Sequence, residues 1–126
     1  MCGEVFYGND RLISKLWYNP KCSKCRKALS LLEEKEVAVQ EVRYLEDPPG
    51  LEQLEEVLSL LCVEPREIMR KTENVYSEMD LGNPLRSREE LMKAMIENPV
   101  LIQRPIFVHQ GRAVIARPPE KVLELV

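Results

Sequence analysis

The feature that most constrains this chain is the stretch Asn19 to Arg26, NPKCSKCR, in which an apolar segment runs into a turn, two thiols three residues apart, and the start of a helical pattern. Leu16, Trp17 and Tyr18 supply a strand end, Asn19 and Pro20 break it, and Lys24 to Leu32 resume with helical spacing. Cys22 is thereby placed at a helix N-terminus. Unsatisfied backbone N–H groups and the positive end of the helix dipole favour a thiolate there, and Lys21, Lys24, Arg26 and Lys27 add positive charge nearby. Cys25 falls about one turn further on, where a more buried thiol could resolve a mixed disulfide formed on Cys22.

The flanking segments extend this unit into an α/β fold. Leu12 to Tyr18 reads as the first strand, the helix runs to about Lys35, and Val37 to Tyr44 alternates as a second strand. A crossover of this length requires parallel pairing. Asp47 as N-cap with Pro48 at the first helical position opens a helix to Cys62, whose buried stripe is Leu51, Leu54, Val57, Leu58 and Leu61. Cys62 at its end reads as a small core residue. Residues 63–99 form an all-helical insertion, in pieces at Pro65 to Lys71, Ser77 to Leu81 and Arg88 to Asn98, the last capped by Ser87 with Glu90. Strands at Ile106 to His109 and Ala113 to Ala116 flank a turn at Gln110 and Gly111, and Pro118 to Leu125 is a terminal helix. Residues 1–11 are an N-terminal extension of irregular structure, with Cys2 an incidental thiol.

The 126 residues suit a single domain, 1–126, and no apolar run approaches the roughly 20 residues that span a bilayer. Paired cysteines without a signal sequence point to a cytoplasmic redox or catalytic thiol rather than a secreted disulfide framework. A net charge of −3 gives no reason to expect direct nucleic-acid binding. Positive charge nevertheless gathers around Cys22, which would draw a small oxyanion to the thiol. A zinc site would need ligands from Cys2, Cys62 or His109 without a second paired motif, so no metal is expected. His109 is read as an ordinary strand residue.

Five collinear strings, NPKCSKCRKAL, YLEDPP, MRKTENVY, LIQRPIFV and ARPPEKVLELV, resemble the glutaredoxin-coupled arsenate reductase family over residues 14–126. The resemblance implies a thioredoxin/glutaredoxin-like fold with a mixed four-stranded sheet, and Cys22 as nucleophile. It implies that Arg70, Arg104 and Arg117 hold an arsenic oxyanion, and that Pro105 is the cis-proline facing the thiol. Arg43, Arg66, Arg86, Arg88 and Arg112 are taken as surface charge. The implied partners are arsenate, glutathione as co-substrate and glutaredoxin, with no bound cofactor, and the chain is expected to be a monomer. Two positions depart from the family pattern: Tyr18 stands where a histidine is common, and Cys25 where serine is common. Cys25 recreates the dithiol of thioredoxins and of Spx-type regulators. Two alternatives follow, a dithiol-disulfide oxidoreductase and a non-catalytic Spx-like partner of RNA polymerase.

Overall fold

The computed structural model describes residues 14–126, and the expectations for Cys2, residues 1–11 and the Leu12–Ile13 start of the first strand lie outside the described residues. Four strands, β1 (Lys15–Trp17), β2 (Gln40–Val42), β3 (Ile106–His109) and β4 (Arg112–Ile115), form one sheet in the order β2-β1-β3-β4. β1 pairs parallel with β2 and antiparallel with β3, and β3 pairs antiparallel with β4. The sheet is mixed and four-stranded, as the sequence reading requires. Helix α1 (Ser23–Glu34) is the crossover between the two parallel strands.

The pleat separates two apolar layers. Trp17, Ile106 and Val108 share one cluster with Leu54, Val57 and Leu58 of α2 (Leu51–Leu61) and with Leu91 and Met95 of α4 (Arg88–Glu97). Leu16 and Phe107, directly paired across β1 and β3, face the other way, onto Cys25, Ala28 and Leu32 of α1 and onto Val122. The thiol helix and the helical insertion therefore cover opposite faces of the sheet.

Several boundaries differ from expectation for identifiable reasons. The second strand is three residues rather than Val37 to Tyr44, because Glu36 takes a left-handed φ of 58° and the Val37 N–H closes the end of α1 on the Leu32 carbonyl. Asp47 does not cap α2; its N–H bonds the Arg43 carbonyl in a turn, and Gly50 is the cap, its own N–H donating to Gln53 Oε1. Pro48 precedes Pro49 and is thereby disfavoured from helical geometry, which delays the helix. Leu51 is consequently exposed, while Leu60 is buried. Cys62 is not a core residue: it occupies the left-handed position that ends α2, with φ 59°, and is exposed.

The insertion consists of a 3-10 turn at Pro65–Ile68, the short helix α3 (Asn74–Glu78) in place of Ser77 to Leu81, then α4 and a 3-10 turn at Pro99–Leu101. Its longest helix carries the expected cap, with the Glu90 N–H donating to Ser87 Oγ and the Ser87 N–H to Glu90 Oε1. One β-bridge, Met69 to Ile102, ties the insertion back to the segment leading into β3. The chain ends in a 3-10 segment, Pro119–Glu124, rather than an α-helix; three residues per turn put Pro119 and Val122 together on the buried side against α1.

Candidate active site

Cys22 is the N-cap residue of α1, with extended φ and ψ of −91° and 121°; its N–H bonds the Asn19 carbonyl, and its own carbonyl accepts the Arg26 N–H. A neutral thiol is a weak acceptor, and Cys22 makes no side-chain cap bond. The thiolate differs. Burial opposes its charge, but the Cys25 N–H, the Cys25 thiol, the Arg104 guanidinium and the Lys24 N–H together hold the Cys22 pKa below that of an ordinary thiol. Cys25 is fully buried; desolvation, with the neighbouring Cys22, pushes its thiol up to about 12, against the opposing effects of the Asn19 backbone and Arg104. Of the two neighbouring thiols, the half-buried one is the stronger acid, and the buried one is placed to donate to its sulfur when that sulfur is charged. That asymmetry suits a nucleophile with a protonated neighbour.

The structure adds to the cation support expected for the thiolate. Lys24 contributes its backbone N–H, while the side chains of Lys21, Lys24 and Arg26 are exposed. Arg26 donates through Nη1 to the Pro20 carbonyl, fastening the turn that precedes the thiol. The cation on Cys22 is Arg104, more than 80 residues away in sequence.

All three arginines singled out in the sequence attach to the segment Leu101 to Pro105. The Arg70 N–H bonds the Leu101 carbonyl at 2.6 Å and the Gln103 N–H bonds the Ile68 carbonyl, which sets Arg70 beside this segment. Its guanidinium is paired with Glu73 at 3.4 Å. Arg104 precedes a cis bond to Pro105, and Arg117 Nη1 donates to the Arg104 carbonyl at 2.8 Å. A second cis bond, Arg117 to Pro118, has no counterpart in the sequence reading. Arg104 acts on the thiol, while the Arg70 guanidinium is paired with Glu73 and that of Arg117 is bonded to the Arg104 carbonyl.

The other arginines are not uniformly surface charge. Arg66 is half-buried and clasps the end of the short insertion helix, with Nε on the Leu81 carbonyl at 3.0 Å and Nη2 on the Asn83 carbonyl at 2.5 Å. Arg86 bonds the Met79 carbonyl and pairs with Glu90, and Arg88 pairs with Glu55 at 2.7 Å. Arg43 remains exposed, lying over the Tyr18 ring at 6.0 Å. These residues shape the insertion, which in turn holds Arg70.

One residue of the site was not singled out. Tyr44 is fully buried, stacks on Trp17 with ring centroids 6.3 Å apart, and brings its hydroxyl into the field of Arg104, Cys25 and Cys22. It opens the string YLEDPP, so the signal was present in the sequence, but only as part of a motif. His109 is remote from this cluster of interactions: its Nδ1 meets Ser14 Oγ at 2.6 Å and its ring stacks on Phe107. Among the described residues no group of three or more His, Cys, Asp or Glu could hold a metal ion, and no helix is long and apolar enough to cross a membrane.

The profile of the ArsC family matches residues 17–125, from the end of β1 to the last turn. The chain belongs to the ArsC family. Among similar proteins, the uncharacterized protein YfgD of Escherichia coli K12 is 45% identical over 113 residues, covering 89% of this chain and 95% of its own. An arsenate reductase of Neisseria meningitidis is 39% identical over 109 residues, covering 86% and 93%. A solved structure described as arsenate reductase from Vibrio cholerae superposes with a TM-score of 0.87 at 43% identity, over 91% of this chain and 98% of that one. The thioredoxin-like ArsC fold accounts for the arrangement found here, a thiol after the first strand facing a cis-proline segment.

Proposed function

We propose that this ArsC-family chain is a thiol-dependent reductase of arsenate, working in the cytosol with glutathione and glutaredoxin. The observation that carries the reading is the Cys22 thiol at the start of α1 beneath the Arg104 guanidinium, in a family whose relatives include proteins named arsenate reductase. Arsenate is a tetrahedral oxyanion, and guanidinium groups offer paired donors to its oxygens. Arg104 meets the oxyanion first. Arg70, released from Glu73, and Arg117, anchored on the Arg104 carbonyl, complete the clamp.

The Cys22 thiolate attacks arsenic, and an oxygen leaves as water after taking up protons, giving a sulfur-bound As(V) adduct. The arginines neutralise the remaining oxygens as charge develops. A glutathione thiolate then attacks the Cys22 sulfur; the S–As electron pair passes to arsenic, which becomes As(III) and leaves as arsenite. The product on the protein is a Cys22–glutathione disulfide. Glutaredoxin takes the glutathionyl group and returns Cys22 as a thiolate.

A second reading, dithiol-disulfide exchange through a Cys22–Cys25 disulfide, is favoured by the contact between the two thiols. Arsenate-dependent NADPH consumption, coupled through glutathione, glutaredoxin and glutathione reductase, separates the two. On the first reading turnover is lost in Cys22→Ser and retained in Cys25→Ser. No arsenate-dependent turnover in the wild type, with Cys22 nevertheless reacting rapidly with a disulfide, supports the dithiol reading, and full arsenate turnover in Cys22→Ser refutes the first.

A further inference from the structure

Two buried polar atoms of the site have no hydrogen-bond partner among the described residues: the Tyr44 hydroxyl and Arg104 Nε. Buried polar groups are nearly always paired, and an orphan costs about 1–3 kcal/mol. Here the two orphans belong to side chains within reach of one another: Arg104 acts on the Tyr44 hydroxyl through its charge and through a side-chain approach that falls short of hydrogen-bond geometry. The remaining ionisable groups in the field of that hydroxyl are Cys25 and then Cys22. Burial pushes the phenol above its usual range, against the pull of Arg104, so it stays a neutral donor and acceptor throughout the working pH range.

The ring itself is fixed. Tyr44 follows β2, its N–H is bonded to the Val42 carbonyl at 2.9 Å, and it packs among Trp17, Leu54 and Ile106 with no exposed surface. The guanidinium has more freedom, because Arg104 is only half-buried while its side chain acts on Cys22. A small turn of the guanidinium plane is therefore the motion that would join the two orphans. Drawing the outer N–H groups toward negative charge on the reacting sulfur would drive it.

We propose that Tyr44 is a positioning residue of this site: its hydroxyl oxygen accepts the Arg104 Nε–H when the guanidinium engages a thiolate or a bound oxyanion, and so fixes the guanidinium plane over Cys22. The hydroxyl does not touch the substrate. It acts through Arg104, and the pair is made only in the charged state of the site, which is where such a bond lowers the energy of the reacting form. The part of this inference that concerns a bound oxyanion rests on the arsenate reading; the part that concerns the thiolate does not.

The test is Tyr44→Phe, which removes the hydroxyl and keeps the ring. Cys22 alkylation by iodoacetamide is followed by peptide mass across pH, alongside arsenate kinetics and thermal unfolding. A lost hydrogen bond to a charged group, at the low end of its usual strength, predicts a Cys22 rate about tenfold lower on the acid limb of the profile, and a KM for arsenate about tenfold higher. At pH below the Cys22 titration, where the thiol is neutral, the unfolding midpoint stays level or rises, because the hydroxyl has no bond to lose there. Arg104→Lys lacks Nε, so adding Tyr44→Phe to it produces no further change in alkylation. A wild-type alkylation profile in Tyr44→Phe overturns the proposal, as does a full additive effect in the Arg104→Lys background. A shifted profile in a protein that does not turn over arsenate keeps the positioning role and discards the arsenate reading instead.

Discussion

Replacing Cys25 by alanine tests whether the buried thiol sustains the ionised one. Cys25 has no exposed surface, and its thiol and N–H are placed to donate to a charged Cys22 sulfur. Alanine keeps the N–H and deletes only the S–H donor. An S–H is a weak donor, but the acceptor is charged, so the bond lies near the low end of the charged range, about 1–1.5 kcal/mol. That corresponds to a five- to tenfold change in the thiolate-to-thiol ratio. The effect must be read on the acid limb of the alkylation profile, where rate is proportional to the thiolate fraction; on the plateau it vanishes. Cys25→Ser supplies a hydroxyl donor at the same place and is expected to restore the wild-type rate. Peptide mass resolves Cys22 from Cys2 and Cys62 in the same digest. If Cys25→Ala matches the wild type along the whole limb, the buried thiol does not set the reactivity of Cys22, and the ionisation rests on the backbone N–H groups and Arg104 alone.

Two further predictions concern parts of the fold that hold the site. Arg66→Ala leaves the Leu81 and Asn83 carbonyls without their guanidinium donor; with the side chain half-buried, the loss is expected to be about 2 kcal/mol, lowering Tm by about 5–10 °C. An unchanged Tm would show that water replaces both bonds freely. His109 is held below its ordinary range, first by burial and then by Arg112. The unfolded chain therefore binds the proton more readily than the fold. Stability from this group is full above the unfolded histidine pKa of 6.5 and is lost as pH falls through the lower folded value. His109→Gln should flatten that part of a Tm-against-pH curve, and an unaltered slope would place the dependence elsewhere.

The strand-turn-helix around Cys22 was legible in the sequence because every signal for it is local: strand residues, a breaking Asn-Pro pair, then helical spacing. The Ser87 cap and the β3–β4 turn were legible for the same reason. The errors were also local in origin. Asp47 and Pro48 carry good helix-start chemistry, but Pro49 forbids helical geometry at Pro48, and the start moves to Gly50. Cys62 ends an apolar run, yet the chain must turn left-handed there, which puts the side chain in solvent.

Lys21, Lys24 and Arg26 are close to Cys22 in sequence, but exposed ammonium and guanidinium groups are screened, and Arg26 is occupied by the Pro20 carbonyl. The cation that reaches the thiol is brought by antiparallel pairing of β1 with β3, which carries the Arg104–Pro105 segment over the start of α1. Sequence by itself determined where a reactive thiol could form, since a helix N-terminus is built within eight residues. Which arginine meets that thiol and which buried hydroxyl stands behind that arginine were decided only by tertiary structure, because desolvation and charge act through space between segments that the sequence keeps apart.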